Sequence, residues 1–185
     1  MTTNPYAPPR ACLTTEPAPR AFFVVSKRKF ALMFALTCGL YLTYWLYMNW
    51  RQQRAAGSKV LPLARTIFGV FFVHSLFFRI DRRIKVTGRQ FGWYPGSLAL
   101  GVLVLIFANI ALNWMIDLRL SAVLGFLILI LETYCFLRVQ DAINYAENDV
   151  EGLSNSTFTC ANGIWIGLGL CIWALTFIGY YAIFF

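Results

Sequence analysis

The sequence predicts an all-α integral membrane protein of about five transmembrane helices, with the N-terminus cytoplasmic and the C-terminus outside. Three observations carry this reading. Hydrophobic residues make up 59% of the 185 and charged residues only 13%, whereas an ordinary soluble domain is roughly 25% charged. Five apolar runs each approach the ~20 residues that a ~30 Å hydrocarbon layer requires. The 16 Lys and Arg outnumber the 8 Asp and Glu, and they crowd into particular connecting segments. A soluble fold of this length cannot bury so much apolar surface, so a soluble enzyme is excluded.

Residues 1–20 hold Pro5, Pro8, Pro9, Pro17 and Pro19 and few large apolar side chains. Burial cannot offset the ordering entropy of such a stretch, which predicts a disordered cytoplasmic tail. It has neither the apolar core nor the cleavage site of a signal peptide, so it is expected to persist in the mature protein. Residues 21–185 are expected to form one transmembrane helical domain. Within it Phe22, Phe23, Val24 and Val25 are too few to span, and Lys27, Arg28 and Lys29 close them off; they are expected at the membrane interface. Spans follow at about 30–50, 61–80, 97–116, 121–139 and 163–184. Pro62 opens the second, at a position where Pro suits a helix start. The third and fourth are joined only by Asp117 to Leu120, which forces an antiparallel hairpin.

Lys and Arg in short loops set the orientation. With the N-terminus inside, five spans leave Arg51, Arg54, Lys59, Arg65 and Arg119 outside and the other basic residues inside. Four cations in one outer loop count against that arrangement. In the alternative, the first two apolar segments form a re-entrant or interfacial hairpin, and every charge before residue 97 is cytoplasmic. It requires two helices of near-spanning length not to span.

Few residues invite a functional reading. Tyr41, Tyr44, Trp45, Tyr47 and Trp50, with Arg51 and Arg54 behind them, form an interfacial aromatic cluster. Such rings prefer the headgroup level, where Arg side chains snorkel outward; the other reading is a groove for a lipid or a partner helix. Ionisable groups inside spans are costly and usually face protein or water. His74 and Glu132 qualify, and their placement at similar depth predicts an intramembrane polar cluster with Asn109. That cluster would be an interhelical hydrogen bond or a proton relay. Asn113 lies one turn from Asn109 on the same face. Gly101 and Gly125, each four residues after a Ser, and the Gly163/Gly167 pair let backbones approach, which suits helix packing within the chain or in a dimer.

Other signals point away from chemistry. The five Cys are odd in number and show no Cys-x-x-Cys pair, so no disulfide framework, metal site or cofactor is expected. Glu147 to Gly152 faintly resembles a calcium loop, but Phe158 stands where a bidentate Glu is needed. The acidic loop 139–162 is expected to answer Arg82, Arg83, Lys85 and Arg89 by ion pairing. Asn155-Ser156-Thr157 matches a glycosylation sequon but falls in an inner loop. The basic residues flank spans instead of forming one face, so anionic lipid headgroups are the expected partner and nucleic acid is not.

Several motifs resemble those of a family of small bacterial inner-membrane proteins of unknown function. They are the stretch Thr37-Cys38-Gly39-Leu40-Tyr41 and the aromatic motif Tyr44-Trp45-Leu46-Tyr47 with Asn49-Trp50, while the tail Asn4-Pro5-Tyr6-Ala7-Pro8-Pro9 with Ala11-Cys12-Leu13 resembles the short tail that precedes the spans in several bacterial inner-membrane proteins. Pro62, Arg65 and Phe68, then Gln140 and Asn144, then Asn162, Gly167 and Trp173 extend it over most of the chain after residue 20. The resemblance implies a multi-pass protein of the bacterial inner membrane and no catalytic residue. The first functional reading is therefore a non-enzymatic structural, accessory or interaction protein with a membrane-protein partner or a second copy. The second is a small transporter or proton/ion pathway using His74, Glu132 and Asn109. A lipid-modifying membrane enzyme comes last. A transport route predicts a polar cavity reaching the midplane, with broken helices, whereas a scaffold predicts apolar packing without one.

Overall fold

Ser26 starts the helical part of the chain. Its hydroxyl accepts from the Lys29 N–H at 3.4 Å, and α1 (Lys27–Leu36) follows. Next come α2 (Tyr41–Ala55), α3 (Pro62–Ile67), α4 (Gly69–Val86), α5 (Pro95–Met115), α6 (Leu118–Ala146), a 3-10 turn at Leu153–Asn155, and α7 (Cys160–Phe184). This is a computed structural model that describes residues 20–115 and 117–184. The tail expected at 1–20 lies, apart from Arg20, outside the described residues. Pro62 occupies the first turn of α3. Asp117 caps α6, accepting from the N–H groups of Arg119 and Leu120 at 2.9 and 3.4 Å.

Among the described residues three helices, α5, α6 and α7, are long and apolar enough to cross a membrane. The expectation of five spans gives way to three, for a reason visible in each of the first two segments. The run at 30–50 is broken. Its chain turns at 37–40, where Cys38 and Gly39 take φ of 52° and 81°, and the pieces on either side are α1, 10 residues, and α2, 15 residues. The run at 61–80 breaks at Phe68 between α3 and α4, and α4 ends in Arg79, Asp81, Arg82, Arg83 and Lys85.

The two halves of the first segment form a helical hairpin laid against α6. α1 runs antiparallel to it: Lys27 pairs with Asp141 at 3.1 Å, Phe34 meets Phe136, and Gly39 approaches Leu129. α2 returns parallel to it, and the Trp45 indole N–H donates to Gln140 Oε1 at 2.6 Å. The turn abuts α7. There Trp173 donates to the Ala35 carbonyl at 2.9 Å, and Gly169 lies against Leu36 O and Thr37 Cα with no room for a Cβ. Gly169 is nine residues beyond the start of α7, about 13 Å along its axis, so the turn is level with the middle of the bundle. Irregular backbone at such a depth is stable only when buried in protein or facing a cavity, with its polar groups bonded. Thr37 supplies that bonding: its hydroxyl donates to Met33 O at 2.7 Å and accepts from Tyr41 N–H at 2.9 Å.

Aromatic rings fill the space between the hairpin, α4 and α6. Phe30, Phe34, Tyr41, Trp45, Phe77 and Phe136 are buried, as is Trp50 beside them. Three of the five rings expected at the headgroup level, Tyr41, Trp45 and Trp50, are thus core residues, with Tyr44 half-buried and Tyr47 exposed. The segment 22–25, expected at the interface, is buried as well, together with Ala21. It is neither helix nor strand, so its backbone groups need outside partners, and amide side chains provide them. Asn49 accepts from Phe23 N–H, while Gln53, Gln140, Asn155 and Asn144 donate to the carbonyls of Ala21, Phe23, Val24 and Val25. Each such bond contributes a net ~1 kcal/mol, and each backbone group left bare there would cost ~1–3 kcal/mol.

α5, α6 and α7 turn apolar side chains outward along their length, among them Phe107, Leu127 and Ile178. That much exposed apolar surface matches hydrocarbon and not water.

Candidate functional site

Two turns of polar side chains sit where α5 and α6 pack. Asn109 and Asn113 share a face of α5, and the Asn113 amide donates to Asn109 O at 2.8 Å and to Asn109 Oδ1 at 3.3 Å. Ser121 on α6 donates to Asn113 Oδ1 at 3.4 Å. Gly125, one turn further, leaves the Asn109 amide oxygen 3.9 Å from the place a Cβ would take. These groups edge a cavity of about 460 Å³, with Thr176 and Tyr180 of α7 opposite. The hairpin turn, Cys38 to Leu40 and Thr43, is part of its lining.

Glu132 lines the same cavity. It lies midway along α6, about 21 Å from either end. Among the described residues its carboxyl has no hydrogen-bond or ion-pair partner in the protein. A carboxyl within a spanning helix is costly and usually faces protein or a water-filled cavity. Phe34, which lines the cavity, belongs to the buried aromatic layer of Phe30, Phe34, Trp45 and Phe136. The cavity is a crevice, polar where Asn109, Asn113, Ser121 and Glu132 line it, and it runs along α6 from Glu132 to Ser121.

Of the three residues expected to cluster, the structure brings Glu132 and Asn109 to one cavity. His74 is exposed on α4 and is not in its lining. Counting residues from span ends equates its depth with that of Glu132, but the run counted from residue 61 breaks at Phe68, and α4 begins only at Gly69. The packing glycines also divide. Gly125 faces Asn109, while Gly101, Gly163 and Gly167 have nothing within 4 Å of a would-be Cβ. Gly169, which the four-residue spacing passed over, makes the close contact.

The opposite end of the bundle is charged. Glu147 is 3% exposed and pairs with Arg83 at 3.9 Å. Burial pushes its carboxyl up, and Arg83 together with the Ala21 N–H at 3.3 Å opposes that. Asp149 meets Arg20 at 3.7 Å and accepts from Leu153 and Ser154 N–H; chiefly its hydrogen bonds with Ser154 hold its carboxyl down. Arg89 donates to Asn148 Oδ1 and Tyr145 O, both at 2.6 Å. Lys85 turns to Asp81 on its own helix. The ion pairing expected between the acidic loop and α4 is therefore made by Arg83, while Arg89 bonds neutral groups instead. Asn155, the sequon residue, accepts from Lys29 Nζ at 2.6 Å and donates to Val24 O at 3.0 Å. Among the described residues no group of three His, Cys, Asp or Glu could hold a metal ion.

Comparison of the chain with protein-family models, with curated proteins and with solved structures finds no match.

Proposed function

We propose that this is a non-enzymatic, multi-pass protein of a bacterial inner membrane that admits a proton or small cation to Glu132 through the crevice. The observation that supports this most directly is an unpartnered carboxyl at mid-helix, in a cavity with one polar wall beside a broken helical pair. Discontinuous helices and midplane sites accompany each other in transporters because unwound backbone supplies polar groups where lipid cannot. In this reading the chain spans three times, N-in and C-out. The α1–α2 hairpin enters from the cytoplasmic face, and the crevice opens to the other side. The inner-membrane location rests on the resemblance of the aromatic motif around Trp45 and Trp50.

Reconstituted vesicles containing a pH-sensitive dye test it. Wild-type protein is expected to pass protons down an imposed gradient, and Glu132→Gln to remove at least about nine-tenths of that flux, the loss expected when the carboxyl at mid-helix is neutralised. Absence of flux from wild-type vesicles would favour a second reading, a structural or interaction protein. One observation speaks for that reading: Gly163 and Gly167 are exposed on α7 with open space beside them, as a partner helix or second copy would need.

A further inference from the structure

The corner where α2, α3 and α4 meet carries Arg51, Arg54, Lys59, Arg65 and Arg79. Among the described residues none of the five is paired with a carboxylate. Arg65 is held most tightly. Its guanidinium lies 4.6 Å from the Trp50 ring centre and 4.8 Å from that of Phe72, stacked in the manner that holds a cation in place. Arg79 approaches the same Trp50 ring at 6.0 Å and bonds Gln53 Oε1 at 3.3 Å. Two buried donors there, Arg65 Nη1 and Trp50 Nε1, face no acceptor among the described residues. Burial and the neighbouring Arg79 both work against the charge on Arg65, so a nearby anion would relieve both.

The level of this corner is fixed by its contacts. Gln53 donates to Ala21 O, and Ala21 N–H donates to Glu147, just past the end of α6. Phe78, beside Arg79, packs on Gly96 at the start of α5. The cations therefore stand at the ends of two spanning helices, where headgroups lie. Next to them Leu61, Leu63, Ile67, Phe68 and Phe71 are exposed, an apolar flank that water disfavours and acyl chains match.

From the cations at headgroup level and the apolar side chains beside them, we infer that this corner is a binding site for one anionic phospholipid. Its phosphate lies between Arg65 and Arg79, and its acyl chains lie along α3 and the start of α4. A free phosphate would use the cations but leave the apolar flank bare, which is why the lipid is the occupant. The inference rests on α5, α6 and α7 spanning the membrane and is independent of the crevice.

Native mass spectrometry of the full-length protein in detergent, given equal phosphatidylglycerol and phosphatidylcholine, tests it. Wild-type protein is expected to retain phosphatidylglycerol selectively. Arg65→Gln with Arg79→Gln should reduce retention by about fivefold per charge removed, and Arg28→Gln, at an exposed cation on α1, should not. Should the first pair unfold the corner, Arg54→Gln with Lys59→Gln, both at exposed positions, carries the same expectation. Millimolar inorganic phosphate is expected to leave the lipid in place; its displacement would overturn the lipid assignment in favour of a phosphate site. Equal retention of the two lipids, or retention unchanged in a folded double variant, would overturn the site itself. Loss of lipid selectivity leaves proton flux untouched, so the two proposals fail separately.

Discussion

At the scale of residues, the molecule depends on a few contacts that have no slack. Gly169 is the sharpest. A Cβ there would run into Leu36 O and Thr37 Cα, backbone atoms that cannot swing aside as a flexible side chain would. Gly169→Ala is therefore expected to lower stability by about 1–3 kcal/mol, the usual cost of overpacking. Gly163→Ala and Gly167→Ala meet open space and should leave the monomer unchanged, as thermal unfolding in detergent would read. Sequence spacing reversed this order, since four-residue glycine patterns mark only where approach is permitted, not where it happens. The amides Gln140 and Asn144 were equally hard to see. Their spacing of four puts them on one face, but nothing in it says that the face receives an irregular segment over 100 residues away. Glu132 and Asn109 were legible, because a carboxyl and an amide within apolar runs are costly unless they meet something polar.

At the scale of elements, the long apolar helices were legible and the hairpin was not. α5, α6 and α7 come from uninterrupted runs, and length alone decides them. The aromatic density of Tyr41 to Trp50 reads alike whether its rings face lipid headgroups or a protein core, so hydropathy turned a broken pair into a span. The available signal was Thr37-Cys38-Gly39, where a glycine follows a threonine able to bond its own helix. The hairpin makes a prediction of its own. Cys38 lies in its turn and lines the crevice, with Phe34 of the buried aromatic layer beside it. In a variant retaining only Cys38, a small membrane-impermeant thiol reagent is expected to react from outside the cell and not from the cytoplasmic face of inverted vesicles. Reaction from the cytoplasmic face alone would mean that the crevice opens the opposite way.

At the scale of the whole molecule, a hairpin that enters and returns would resolve the charge conflict that five spans create. Residues 1–96 hold 14 of the 16 basic residues and 2 of the 8 acidic ones. If the first two apolar segments enter and return instead of crossing, every basic residue but Arg119 lies on the face that holds the N-terminus. That is the asymmetry the positive-inside rule expects of short loops. The acidic groups Asp141, Glu147 and Asp149 then share that face, and their contacts with Lys27, Arg83 and Arg20 become one charged collar closing the cytoplasmic end. Lys59 decides between the arrangements, since it is exposed in the loop between α2 and α3 and the two place it on opposite sides. With all five native Cys replaced by Ser, Lys59→Cys is expected to resist an impermeant thiol reagent on intact cells and to react once the membrane is opened. Asp117→Cys, in the link between α5 and α6, should react on intact cells. Labelling of position 59 from outside would restore the five-span path and leave its four outer cations without an electrostatic reason to be there.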